Sequence, residues 1–172
     1  MMRVAMDCQA RARRAVSAFV LAALLAGGAS LAYAEGDAVS CEVLEVKASH
    51  GDTDRLDPRL RAIEGKLKKP PFSDWNVFES LGAHEFSAQR RHPVEISLAP
   101  GGELGLLFQD VMRSDGKKPR LRLSLTLDDA EGKRLMDATI QLDSGDWYLV
   151  GGQSMDDGAV YVLAASCDLS DD

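Results

Sequence analysis

Arg120-Leu121-Arg122-Leu123-Ser124-Leu125-Thr126-Leu127 alternates polar residues with leucine without a break. Successive side chains of a strand point to opposite faces, so this stretch puts four leucines on one side and arginines and hydroxyls on the other. One face buried and one wet is the pattern of an antiparallel sheet.

Working outward, each flank repeats the unit. Upstream, Ser114-Asp115-Gly116-Lys117-Lys118 reads as a turn, Glu103 to Met112 as a strand, Pro100-Gly101-Gly102 as a turn and Pro93 to Leu98 as a strand. Downstream, Asp128 to Lys133 turns the chain and Met136, Ala138, Ile140 and Leu142 line the next strand. Asp143-Ser144-Gly145-Asp146 then leads into a strand at Trp147 to Val150, a loop at Gly151 to Gly158 and a last strand at Ala159 to Cys167. A first strand is expected at Ser40 to Ala48, with Glu42, Glu45 and Lys47 toward water and a parity change at Val43-Leu44 marking a bulge. Seven or eight short strands at this spacing predict a mainly β fold, an antiparallel sandwich or open barrel.

One helical insert, at about residues 57–69, interrupts the strands. Asp57 suits an N-cap, Pro58 the first helical position, and Leu56, Leu60, Ile63 and Leu67 form one apolar stripe. Pro70-Pro71 ends the helix. Ser73 is then placed to cap a single turn that gathers Phe72, Trp75 and Phe78. Such a cluster is either a core plug or a ligand-binding aromatic shelf.

Residues 1–34 read as a signal peptide. Arg11, Arg13 and Arg14 form its basic region, Ala15 to Leu25 its apolar region and Ala32-Tyr33-Ala34 its cleavage site. Residues 35–172 then form a single domain with no membrane span. Of the 172 residues 45% are hydrophobic, which excludes wholesale disorder. The net charge of −7 falls to −10 once Arg3, Arg11, Arg13, Arg14 and Asp7 leave with the leader, which argues against nucleic acid as a partner. Cys8 leaves as well, so Cys41 and Cys167 remain, and in an oxidising compartment they are expected to pair. Two buried free thiols are the alternative.

Familiar catalytic patterns are missing: no G-x-S-x-G, P-loop or dinucleotide fingerprint occurs, and His50, His84 and His92 lack metal-ligand spacing. In a simple meander the turns at Asp128, Asp129 and Glu131 and at Asp156 and Asp157 share one end, with Pro100-Gly101-Gly102 nearby. Their five carboxylates are calcium candidates, although turns also favour Asp for local hydrogen bonds. Arg59, Arg61, Lys66, Lys68 and Lys69 make a basic segment on an acidic chain. With Trp75 and Phe78 they are a candidate partner surface, or else the solvated face of the helix.

Lys68-Lys69-Pro70-Pro71-Phe72-Ser73-x-Trp75-x-x-Phe78, with Cys41-Glu42-Val43-Leu44 upstream and Asp128-Asp129-x-Glu131-Gly132-Lys133 downstream, resembles a group of exported proteins of myxobacterium-like bacteria. The resemblance implies export and carries no activity. The segment Ser144 to Gly152 is also similar to a strand-turn unit of secretin pore proteins, but this chain is far too short for a pore. The functional expectation is an exported, monomeric, non-catalytic binding or accessory module of the bacterial envelope, periplasmic or extracellular. The rival is a small secreted hydrolase that uses the loop-end carboxylates, with or without calcium.

Overall fold

The computed structural model describes residues 38–155 and 157–169. The leader, the calcium candidate Asp156 and residues 170–172 lie outside the described residues. Among the described residues nine strands run in chain order: β1 (Ala38–Ser49), β2 (Arg55–Leu56), β3 (Val77–Gln89), β4 (Pro93–Ser97), β5 (Glu103–Met112), β6 (Arg120–Asp128), β7 (Arg134–Asp143), β8 (Trp147–Ser154) and β9 (Val160–Leu169). They form two sheets, ordered β2-β3-β1-β9-β8 and β4-β5-β6-β7. Every pairing is antiparallel except that of β2 with β3.

The decisive stretch behaves as its alternation requires. Leu121, Leu123, Leu125 and Leu127 of β6 are buried, while Arg120 and Arg122 are exposed. They pack with Val39, Cys41 and Val43 of β1 and with Leu163, Ala165 and Cys167 of β9, which fill the space between the sheets. From Tyr161 to Cys167 every residue of β9 is buried, because this strand is covered twice. Leu163 and Ala165 face the second sheet, whereas Val162 and Ala164 meet the helical insert through Leu60, Ile63 and Leu67. A strand covered on both faces loses its alternation.

The helical insert is shorter and tighter than the sequence predicts. It is a 3-10 turn over Pro58–Ile63 followed by one α turn, α1 (Glu64–Leu67). The stripe explains the division. Leu60 and Ile63 lie three apart, the repeat of a 3-10 helix, and Ile63 and Leu67 four apart, which suits an α turn. Asp57 caps it as expected, accepting from the Arg59 N–H at 2.9 Å. Its other oxygen takes the Arg59 guanidinium at 2.7 Å and the Ser80 N–H at 3.4 Å, which fastens the insert to β3. These bonds to Arg59, above all that of its side chain, hold the Asp57 carboxyl well below the usual range. The contribution of Asp57 is therefore full above the ordinary aspartate pKa near pH 4 and fades as pH falls below it. An acid titration followed by the fluorescence of Trp75 and Trp147, both packed in the insert's apolar cluster, should show the insert loosening below roughly pH 4, and Asp57→Asn should flatten that step. An identical titration in the variant would remove Asp57 as its cause.

Ser73 does not cap its turn. Pro71 precedes the 3-10 turn Phe72–Asp74 without a side-chain bond, and Ser73 lies inside it. The aromatic gathering holds all the same, since Phe72, Trp75 and Phe78 join one apolar cluster. β3 is one strand of 13 residues, and β8 runs past the expected Val150 to Ser154 through a register slip at Gly151. A residue with Cβ at position 151 would meet Phe72 Cε1 at 2.9 Å and Val162 Cγ2 at 3.0 Å, so the glycine that looks like a loop signal instead admits close packing.

Cys41 and Cys167 face each other across β1 and β9 and form a disulfide, Cα–Cα 4.1 Å, as the export reading expects. No helix among the described residues is long and apolar enough to cross a membrane. The two sheets meet on one side at the sharp β3–β4 corner, where Arg91 has φ 63°. On the other side β8 and β7 are the edges of separate sheets, and the curl stays open.

Candidate functional site

A groove of about 450 Å³ lies between β2, the helical insert and the start of β3. Leu56, Leu67 and Phe78 make its apolar floor and Trp75 its half-buried wall, while Asp54, Arg55, Glu64 and Lys68 put both signs of charge on its rim. The rim is held in place. Lys68 Nζ meets Glu64 Oε1 at 2.5 Å, and each shifts the other toward its charged form. Asn76 ties the preceding loop to β3. Its Oδ1 accepts from the Gly51 N–H at 2.9 Å, and its Nδ2 donates to the Gly51 carbonyl at 2.8 Å and to Asp54 at 3.3 Å. Arg55 pairs with Glu79 on β3.

This geometry divides the expected partner surface. Trp75, Phe78 and Lys68 come together in the groove. Arg59 turns away onto Asp57, and Lys66 reaches Asp146 at 2.8 Å and the Trp147 carbonyl at 2.5 Å on the far side of the insert. Arg61 and Lys69 are exposed.

The second site was not foreseen. Glu45, expected in water, is 1% exposed. It shares the inward face of β1 with Val43, and both of its oxygens are used. Oε2 accepts from the Ala99 N–H at 2.7 Å and from the Tyr161 hydroxyl at 2.6 Å, and Oε1 lies 2.7 Å from His84 Nε2. Ala99 belongs to the β4–β5 turn, so one carboxylate of the first sheet closes the end of the second over the core. Burial first, then the bond to Glu45, pushes the Tyr161 phenol far above the usual tyrosine range and keeps it a donor. A Cβ at Gly82 would lie 2.8 Å from Oε1, so the carboxylate needs this glycine beside it. The slip in β1–β3 pairing falls at Glu45/Val46, and the extra residue is Leu81 of β3; it does not lie at Val43-Leu44. Parity was the available signal. Cys41, Val43 and Glu45 are spaced by two, so a buried Cys41 and Val43 imply an inward Glu45 in any unbroken strand.

His50 and His92 are exposed, and the histidine paired with Glu45 is His84. Three of the calcium candidates already have partners. Asp128 holds Arg134, Asp129 accepts from the N–H groups of Glu131 and Lys133 at 3.1 and 2.8 Å, and Asp157 pairs with Lys47. No group of three or more His, Cys, Asp or Glu side chains is placed to hold a metal among the described residues. The two turns do approach one end, because Leu127, Leu98 and Met155 pack in one cluster. No family model, curated protein or solved structure matches this chain.

Proposed function

We propose that this protein is an exported, monomeric binding or accessory module of the bacterial envelope, which takes a surface component in the Trp75 groove. The observation that carries the reading is the groove itself: an aromatic wall over an apolar floor, with charged rim groups already paired and positioned. Such a seat binds without first ordering its own side chains, which lowers the cost of association. The interior cluster supports the same reading. Glu45, His84 and Tyr161 are the residues closest to a catalytic constellation, and both oxygens of Glu45 are occupied, Oε2 by the Ala99 N–H and the Tyr161 hydroxyl and Oε1 by His84. The disulfide supports an oxidising compartment, and with it the signal-peptide reading.

The test uses the exported form, immobilised and exposed to native envelope extracts. Wild type should retain a component that the double variant Trp75→Ala, Lys68→Ala loses by about tenfold, a loss of about 1.4 kcal/mol in binding. Circular dichroism should show both proteins equally folded. Equal retention by the variant would move the seat elsewhere. Steady turnover of an ester, peptide or glycan by the purified protein would replace the module with the hydrolase.

A further inference from the structure

The four sheet edges are not alike. An unpaired edge invites another strand, and proteins blunt it by shortness, charge or proline. The β2 edge is two residues long, with Arg55 paired with Glu79, and past it β3 forms the edge and carries Glu79 and Glu85. The β4 edge starts at Pro93 and carries Glu95, and the β7 edge carries Arg134, Asp137 and Asp143. From Trp147 to Ser154, β8 has neither a charge nor a proline.

Its main chain is open in a defined place. The Trp147 N–H goes to Asp146 at 2.8 Å and its carbonyl to Lys66, so both point away from β9. Alternation along the strand sends the N–H and carbonyl of Leu149 and Gly151 the same way, toward the side where β8 has no neighbour in its sheet. Beside them a slot of about 370 Å³ separates β8 from β7, lined by Leu127, Leu135, Met136, Val150, Tyr161 and Leu163. Leu135 is 42% exposed there. A strand laid on β8 would bond to these peptide groups and send every second side chain into the slot.

Charge selects the occupant. The turns at the mouth and the adjoining strand carry Asp128, Asp129, Glu131, Asp137 and Asp157; Arg134 holds Asp128 and Asp137 and Lys47 of β1 holds Asp157, so with Lys133 a net charge of −2 remains there. A second copy laid antiparallel on β8 would bring its own Asp146 to this end, and the nearest cation it offers, Lys66, is already paired with that residue at 2.8 Å. Beyond that pair it brings one further cation to this end, Lys118 beside the same Asp146.

We propose that β8 and the adjoining slot accept an extended segment of a partner protein, apolar at alternate positions and basic at its N-terminal end. Antiparallel addition sets the direction, since β8 runs toward the acidic turns and the incoming N-terminus meets them. This surface is separate from the Trp75 groove and does not depend on it.

The probe is a synthetic peptide matched to the 8 residues of β8, with valine at alternate positions and two N-terminal lysines. Its control has the same composition with both lysines at the C-terminus. At low salt the first peptide should bind saturably and slow hydrogen exchange at the Leu149 and Gly151 amides. The control should bind about tenfold more weakly, the effect of two exposed ion pairs. Leu135→Lys puts a charge on an exposed wall position and should weaken the first peptide by at least about tenfold, since a buried unpaired charge is costly. Leu149→Pro removes one outward N–H and should abolish binding; if that variant does not fold, Leu135→Lys decides. Four results would overturn the proposal: no saturable binding, equal binding of both peptides, protection at another edge, or concentration-dependent protection of Leu149 in the protein alone.

Discussion

Glu45→Ala should destabilise the protein by about 3–5 kcal/mol, as expected when one member of a buried, hydrogen-bonded polar set is deleted. The alanine would leave the Ala99 N–H, the Tyr161 hydroxyl and His84 Nε2 without the acceptor they now converge on. Each orphaned buried donor costs about 1–3 kcal/mol, and part is regained where water reaches His84, which is one-third exposed. Glu45→Gln should cost less, about 1–2 kcal/mol. Its oxygen can face Ala99 and Tyr161 while its NH₂ group donates to an unprotonated His84. Urea unfolding followed by tryptophan fluorescence measures both. A loss below about 1 kcal/mol for alanine would show that the two sheets do not depend on this bond, because surface substitutions already span half that range.

The disulfide is the other large term. Cys41 and Cys167 are separated by 126 positions, and a loop of that size restricts the unfolded chain by roughly 5 kcal/mol at most. Replacing both cysteines with alanine should lower stability by about 3–5 kcal/mol while leaving the sheet order unchanged. The fold should survive because Val39, Val43 and the β6 leucines still fill the space around the lost bridge. Matched urea curves for oxidised wild type and the double variant give the difference directly. Coincident curves would show that the bridge constrains nothing.

Legibility followed how many faces of each strand were covered. β6 has one buried face, so its alternation was readable residue by residue, and β5 and β7 followed from the same rule. β9 is buried on both faces, and its continuous apolar run gave the strand but not its two neighbours. β3 was harder. Past Phe78 it alternates weakly, since Leu81, Ala83, Glu85 and Ser87 are exposed and Gly82 and His84 are only half covered. In the groove, Trp75, Phe78 and Lys68 were legible because they are close in sequence. Asp54 and Arg55 were not, because only the parallel pairing of β2 with β3 brings that loop alongside. Glu45 was misread because a charge was weighed above strand parity. His84 and Tyr161, its partners, lie 39 and 116 positions away, and nothing local links them.

The bridge between β1 and β9 also fixes how the molecule carries tension. A pull applied at residues 38 and 169 enters through the first and last strands and meets Cys41–Cys167 within three positions of either point. From there the load runs through a covalent bond instead of hydrogen-bonded ladders, and every turn, groove and open edge between residues 42 and 166 is bypassed. While the sulfurs are joined, stretching the ends lengthens the chain by a few residues' worth and leaves the sheets untouched. In a reducing medium the same pull would peel β1 from β9 first.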